Sequence, residues 1–443
     1  MLGKLAKVVE VFRRDGLYTF GYMAAESLRS RLPQKTQYKR WQRIHEKQTA
    51  DNRKRQRTFT ILVPEEISGM CRQSIEVQSY PVCDIVRLPM DADTSVRTVL
   101  EKAKGGYIAL LSGQDCLAPT ALERVAQYLD SAGYKGCRLI YSDEDWIDSA
   151  GRRSRPVFKP GYSPDTLASF FYMGGLLVME RSLLEEIDQQ TGCSVQFGGY
   201  LMALAASMLI QTGEVCHIPE VLYHRGAHQN VDISVLEQEK KRIFAAFGRK
   251  VETEKVPDCQ AVRMLYPAVG TPLVSIVIPS KDNPPMLRQC IEGIVSCTRY
   301  DSYEIVVVDN GSSEENRRQY EEICEASGRE CSYHYKPMPF NFARMCNLGA
   351  GYAKGTYVLF LNDDIEIQNT DGMDWLERLL GQAMQPGTGA VGAKLLYPGT
   401  GRIQHIGVVN YAKSAAHLYA GCEDAQVLPG GRNRYDYNVS MVT

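Results

Sequence analysis

A chain of 443 residues exceeds what one ordinary hydrophobic core organises, so two domains with a linker or tail are expected. Its apolar share of 44% and charged share of 23% are those of folded globular material, which excludes a disordered or fibrous chain. The formal net charge of -1 gives no whole-molecule attraction to nucleic acid or membrane, so an electrostatic partner must be met by a local patch.

Residues 1–57 differ in character from the rest. Lys35, Lys39, Arg40, Arg43, Lys47, Arg53, Lys54, Arg55 and Arg57 form a basic stretch around Tyr38 and Trp41. A solvated helix with a linker accounts for it, and so does peripheral contact with anionic lipid on the inner membrane surface. The 13 cysteines are odd in number, lack CxxC pairs or zinc-like spacing, and follow an opening without a secretory signal, so a reducing cytoplasmic setting is expected. The longest apolar run, residues 170–179, falls short of the ~20 residues that span a bilayer, so no transmembrane helix is expected.

From residue 58 onward, β-rich runs alternate with helical patterns. Residues 58–64, 84–88 and 107–111 read as buried strands. Pro119 and Thr120 open a helix whose apolar face is Leu122, Val125, Ala126 and Leu129. A charged, helix-like connector runs through residues 231–270. The same order then returns: strand 273–279, helix 287–295, strand 304–308 and strand 357–361. One block repeats almost unchanged, with Ala103, Lys104, Gly105 and Tyr107 echoed 250 positions later by Ala353, Lys354, Gly355 and Tyr357. This predicts an α/β chain of mainly parallel sheets, duplicated in tandem, with one domain at 58–230 and another at 271–443.

The second copy carries polar residues at the carboxyl ends of its strands, where open α/β sheets place ligands. Pro279, Ser280 and Asp282 follow the first strand, Asp309, Gly311 and Ser312 the next, and Asn362, Asp363 and Asp364 a third. Ser280 and the backbone at Gly311 suit a base or ribose, and Asp309 can accept from a pyrimidine N–H or a ribose hydroxyl. Adjacent carboxylates at Asp363 and Asp364 repel unless a cation or proton intervenes. Such hard oxygen ligands suit Mg²⁺ or Mn²⁺ brought in with a diphosphate, where the metal assists departure of the nucleotide.

Taken together, residues 274–283, 303–312, 341–349 and 355–364 resemble family-2 glycosyltransferases, most closely the bacterial type that builds O-antigen or rhamnose-containing cell-surface polysaccharide. The resemblance covers 271–443 well and 58–226 more loosely. It implies tandem GT-A domains, an inverting transfer from a UDP- or dTDP-sugar to a growing polysaccharide or lipid-linked glycan, and a divalent cation held by Asp364 with Asp363 and Asn362 nearby. It also places Arg344 and Asn347 beside the donor. Residues 394–398, 404–408 and 438–443 extend the likeness, and His405 is a candidate contact to diphosphate or acceptor.

Departures from the family pattern are equally specific. Inverting transfer needs a general base, and relatives carry it as an Asp on a segment downstream of residue 443, so the second domain is expected to be incomplete. In the first copy only Asp115 remains of the acidic strand end, and residues 198–203 offer no carboxylate where the base is expected. Asp143, Glu144, Asp145 and Asp148 read as a solvated acidic turn, with a cation site as the alternative. A non-catalytic protein that keeps the transferase shape is the competing reading. A nicotinamide dehydrogenase is disfavoured, because the glycines around Gly349, Gly351 and Gly355 have the wrong spacing and precede a strand.

Overall fold

The computed structural model describes residues 34–46, 57–227, 231–368, 374–411 and 414–442. Lys47, Arg53, Lys54 and Arg55 of the basic stretch lie outside them. Two compact units form: unit 1 comprises Met1–Arg249, Lys255–Arg263 and Arg434–Asn438, and unit 2 comprises Lys250–Glu254, Met264–Asn433 and Val439–Thr443. Nothing in the sequence foretells that Arg434–Asn438 joins unit 1, where Tyr435 stacks on Phe170 at 4.8 Å and the Asn438 side chain accepts from the Asp165 N–H at 3.2 Å.

Unit 1 is built on a sheet of β1 (Phe59–Val63), β2 (Asp84–Arg87), β3 (Tyr107–Leu110), β4 (Cys116–Leu117), β5 (Leu139–Ile147), β6 (Arg153–Val157), β7 (Leu177–Glu180) and β8 (Val215–Arg225), ordered β2-β1-β3-β7-β5-β8-β4 with β6 on β5. The apolar runs of β1 and β3 are buried along their length, as strands covered on both faces must be. The α/β class is as expected, but this sheet is mixed rather than mainly parallel. β7 enters antiparallel between β3 and β5, and β4 and β6 also pair antiparallel. Alternation of strands and helices reports periodicity; it does not report which way a later strand inserts.

The N-terminal helix Gln34–His45 belongs to unit 1 and is docked. Tyr38 is buried and donates to Asp145 at 2.5 Å, and Trp41 meets Phe158 at 5.0 Å. The aromatic residues of the basic stretch are therefore anchors, which corrects the view of this helix as solvated all round.

A two-stranded ribbon, β9 (Glu252–Val256) and β10 (Ala261–Leu265), follows the helix Ile233–Ala246. Unit 2 then forms four parallel strands, β11 (Val274–Ser280), β12 (Tyr303–Asp309), β13 (Cys331–Tyr335) and β14 (Tyr357–Phe360), ordered β13-β12-β11-β14. Side chains alternate between the two faces. Val274, Ile276, Ile278, Ile305 and Val307 pack with the helices Pro284–Cys297, Glu314–Ala326 and Trp375–Ala383, whereas Val277, Val306 and Val308 pack with Met345 of the helix Phe342–Tyr352. Gly349 lets that last helix approach, since a Cβ there would lie 2.2 Å from Val277 Cγ1.

The repeated Ala-Lys-Gly block makes the same contacts in each unit. In unit 1 the Gly105 N–H donates to Thr60 Oγ1 at 2.8 Å, Thr60 donates to Asp84, and the Lys104 N–H donates to Asp84 at 3.1 Å. In unit 2 the Gly355 N–H donates to Ser275 Oγ at 2.8 Å, Ser275 donates to Glu304 at 2.6 Å, and the Lys354 N–H donates to Glu304 at 2.7 Å. Glycine is required because a Cβ would strike the backbone of the neighbouring strand, 2.4 Å from Thr60 N at Gly105 and 2.5 Å from Leu273 O at Gly355.

Candidate active site

β11 and β12 end side by side, with Ser280 directly opposite Asp309. β14 runs parallel to β11, so the segment 362–364 emerges at the same carboxyl edge. Ser280 joins these ends: its hydroxyl donates to Asp363 Oδ2 at 2.5 Å and lies 2.8 Å from the Tyr320 hydroxyl, which accepts from the Asn283 N–H at 2.9 Å. Pro279 stays within β11, opposite Val308.

Asp309 is fully buried. Its Oδ1 accepts from Ser312 N at 2.9 Å and Ser312 Oγ at 2.7 Å, and its Oδ2 accepts from the Tyr333 hydroxyl. Both oxygens are thus engaged inside the protein, where they shape the turn through Gly311, whose φ of 91° favours glycine. Asp282 locks the facing loop onto this turn. Its N–H donates to Ser312 Oγ at 2.8 Å, and its Oδ1 accepts from Ser313 N at 2.9 Å and Asn316 Nδ2 at 3.0 Å. The Ser313 backbone bond, helped by Asn316, holds the Asp282 carboxyl below the usual range.

Asn310 lies between these engaged groups and was not singled out from the sequence. It is 2% exposed, its N–H donates to Ser280 O at 3.1 Å, and neither its Oδ1 nor its Nδ2 has a hydrogen-bond partner among the described residues. A buried amide without partners costs about 1–3 kcal/mol per orphaned group, so its position at a ligand edge is informative. No sequence signal separates it from a turn-forming Asn; its isolation appears only when Asp309 is seen to be occupied.

Asp363 is half-buried and Asp364 and Asn362 are exposed. Burial, with the adjacent Asp364 charge, pushes the Asp363 carboxyl up against the opposing pull of the Ser280 hydroxyl. Cys290 supports this loop from beneath, its Sγ 3.6 Å from Asn362 O, and burial pushes its thiol up to about 12. Among the described residues, no group of three or more His, Cys, Asp or Glu gathers into a metal-ligand cluster. The donor set still fits a divalent cation: two adjacent carboxylates, one of them raised by burial and by the other's charge, leave the remaining ligands to a diphosphate and water.

Arg344 and Asn347 are exposed and three residues apart on the helix Phe342–Tyr352, with Met345 and Gly349 on its packed side. The Asn341 side chain caps this helix by accepting from the Arg344 N–H at 3.0 Å. His405 sits in a separate ribbon, Ile403–His405 paired with Leu395–Leu396. It is 2% exposed, its Nδ1 is 3.0 Å from His417 Nδ1, and burial together with His417 pushes its pKa down.

The corresponding edge of unit 1 is sealed from within. Asp143, Glu144 and Asp145 are not a solvated turn; they lie in β5 and are 3%, 2% and 0% exposed. Asp143 meets His217 Nε2 at 2.8 Å, and Asp145 meets His224 Nδ1 and Arg153 Nε, each at 2.6 Å. Glu144 meets Lys159 Nζ at 2.9 Å and Arg225 at 3.2 Å. Burial pushes the Glu144 carboxyl up, but Lys159 and Arg225 outweigh it and hold the group below its ordinary value. Only Asp148 occupies the expected turn, exposed and paired with Arg152. Asp115 is 1% exposed and accepts from the Tyr223 hydroxyl at 2.6 Å and the Gly226 N–H at 2.7 Å. Residues of 198–203 contribute to the buried helix Tyr200–Ala206 and add no carboxylate.

Residues 275–406 match the family model for glycosyl transferase family 2. An uncharacterised protein of Sinorhizobium fredii, y4gI, is 34% identical over 323 residues, which cover 70% of this chain and 35% of that protein. The O-antigen biosynthesis protein RfbC of Myxococcus xanthus is 34% identical over 318 residues, covering 69% of this chain and 24% of that protein. The chain thus spans about a quarter to a third of the length of these curated relatives. Among solved structures, S. aureus TarS in complex with UDP overlaps 43% of this chain and 65% of its own at 11% identity and a TM-score of 0.31, too shallow a likeness to bear on the site. Residues 275–406 thus form a glycosyl transferase family 2 domain.

Proposed function

We propose that unit 2 binds a UDP- or dTDP-sugar and transfers the sugar, with inversion, to a growing cell-surface polysaccharide or lipid-linked glycan. The observation that carries this reading is the convergence of three strand ends on one carboxyl edge, joined by the Ser280–Asp363 hydrogen bond. Asn310 keeps a donor and an acceptor, buried behind this edge and unpaired among the described residues, that a pyrimidine reaching them would satisfy together. Asp309 holds the turn that presents it. Ser280 orients Asp363, and Arg344 and Asn347 line the approach from the neighbouring helix. Asp364 and Asp363 would hold Mg²⁺ or Mn²⁺, which when bound neutralises charge on the leaving diphosphate. We assign no general base among the described residues.

The tandem reading is supported by the matching contacts of Thr60 and Ser275 with their glycines. Unit 1 then serves as a copy without donor chemistry, because its edge carboxylates are paired internally. A nucleotide-sugar donor sets the reaction in the cytoplasm. Among the described residues no helix is long and apolar enough to cross a membrane.

Calorimetric titration with UDP and dTDP, with Mn²⁺ and with EDTA, tests the reading. Binding is expected only with the metal, and Asp364→Ala is expected to abolish it. Equal binding in EDTA would remove the metal, and no binding under any condition would remove the donor reading.

A further inference from the structure

Three side chains on the first turns of the helix Glu314–Ala326 reach the carboxyl edge of the unit 2 sheet. Asn316 bonds Asp282 in the loop after β11, and Tyr320 bonds Ser280 at the end of β11. Arg317, between them in sequence, lies with its Cζ 3.9 Å from the centre of the Tyr335 ring. Tyr335 ends β13 directly opposite Asp309 of β12. Arg317 also stands near the Tyr333 hydroxyl that donates to Asp309: burial and Asp309 push the Tyr333 pKa up, and Arg317 opposes them. Glu314, one turn back on the same helix, pairs with Arg318 instead, and among the described residues no carboxylate pairs with Arg317 and its buried Nε has no hydrogen-bond partner. A guanidinium seated on an aromatic ring keeps its in-plane N–H groups for another acceptor.

We propose that Arg317, from its seat on Tyr335, selects the base of the nucleotide by donating to the O4 carbonyl of a uracil or thymine. The inference rests on the donor reading of unit 2 and adds the residue that sets its base preference. Strand order gives the position. Ser280 holds Asp363 at the end of β11, and β13 stands two strand spacings, about 10 Å, further along the same edge. A diphosphate kept at Asp363 and Asp364 therefore sends its nucleoside across β12 toward Tyr335 and Arg317, which meet the base and not the phosphates. The chemistry gives the preference. A guanidinium has only donors. Uracil and thymine present a carbonyl oxygen at C4, whereas cytosine presents an amino group there, so the nitrogen that gains a bond from the first two faces a second donor in the third.

Calorimetry of the full chain in Mn²⁺ with UDP, CDP and inorganic pyrophosphate tests it. The unsubstituted chain is expected to prefer UDP to CDP by at least about tenfold. Arg317→Met, which keeps an apolar stem against Tyr335, is expected to lose about ten- to a hundredfold in UDP affinity with little change for CDP or pyrophosphate, so the preference collapses. Tyr335→Leu, which unseats the guanidinium, is expected to lose part of the same preference. Because the ratio is taken within one variant, a general loss of stability does not mimic it. Equal losses for UDP and CDP would make Arg317 a purely structural residue, a loss shared by pyrophosphate would put it on the diphosphate, and an unchanged UDP affinity would take it out of the site. Each of these, or an unsubstituted chain without preference for UDP, overturns the proposal and leaves the donor reading standing; no binding of UDP or dTDP by the unsubstituted chain overturns both.

Discussion

Asp309 shows how much of a residue's role is set by its neighbours. Its place at the end of β12 is legible in the sequence, because an apolar strand followed by Asp-Asn-Gly-Ser announces a turn at a sheet edge. That its oxygens are taken by Ser312 and by Tyr333, 24 residues away, is not. Asp309→Ala is therefore expected to cost about 2–4 kcal/mol, since it strands the Tyr333 hydroxyl and the Ser312 N–H together. Denaturant titration reads that loss, and a parallel fall in UDP affinity is expected as Asn310 loses its setting. Asp309→Asn, which keeps one acceptor, is expected to lose less than half as much stability. In unit 1 the buried pair of Lys159 and Glu144 behaves differently. Lys159→Met leaves a buried carboxylate with Arg225 as its nearest cation and is expected to destabilise by about 3–5 kcal/mol. The double variant Lys159→Met, Glu144→Leu is expected to recover a large part of that, and strictly additive losses would show that the two groups are not coupled.

At the scale of elements, strand and helix positions follow closely from periodicity. The strands expected at 58–64, 107–111, 273–279 and 304–308 are observed within a residue or two. The apolar alternation that marks them is also the alternation that packs them. Close approach between elements is a separate matter, visible in glycines whose function the sequence hints at only by repetition. Gly355 brings β14 to β11 and Gly349 brings the helix Phe342–Tyr352 to the sheet. Gly349→Ala meets a stiff but movable valine side chain and is expected to cost about 1–3 kcal/mol. Gly355→Ala meets the backbone at Leu273 O and Ser275 N, which has no such freedom, and is expected to cost more. Urea midpoints of the two variants compare them directly; the reverse ranking would mean that the edge strand yields more easily than the helix. Strand direction escaped the sequence because β7 is placed by its partners β3 and β5, not by its own four residues.

At the scale of the whole molecule, the two units share the glycine-block contacts and differ in which of their carboxylates are buried and paired. Asp115→Ala is expected to leave nucleotide binding unchanged while lowering stability, because Asp115 is spent on Tyr223 and Gly226. A large loss of binding in calorimetry would mean that unit 1 takes part in holding the donor. Lys240 gives unit 1 a pH dependence of known sign. It is fully buried, bonded to Val262 O at 2.7 Å and Tyr200 at 3.1 Å, and burial pushes its pKa well below the ordinary value. Between that lowered value and about 10.4 the unfolded chain holds a proton that the folded chain does not, so stability rises with pH across this window and is lost as pH falls through it. The rise in urea midpoint from about pH 7 to about pH 9 is expected to shrink in Lys240→Met, and an unchanged slope would exclude Lys240 as its source. The linear order of residues determined the α/β class, the strand ends with their polar triplets, and the recurrence of the glycine block. Each of these is a local pattern, set by side-chain periodicity and by turns a few residues long. Tertiary structure decided which of those polar groups stay available. Burial and pairing depend on partners far along the chain, and a carboxylate buried against Lys159, His224 or Tyr223 is closed to a ligand from solvent.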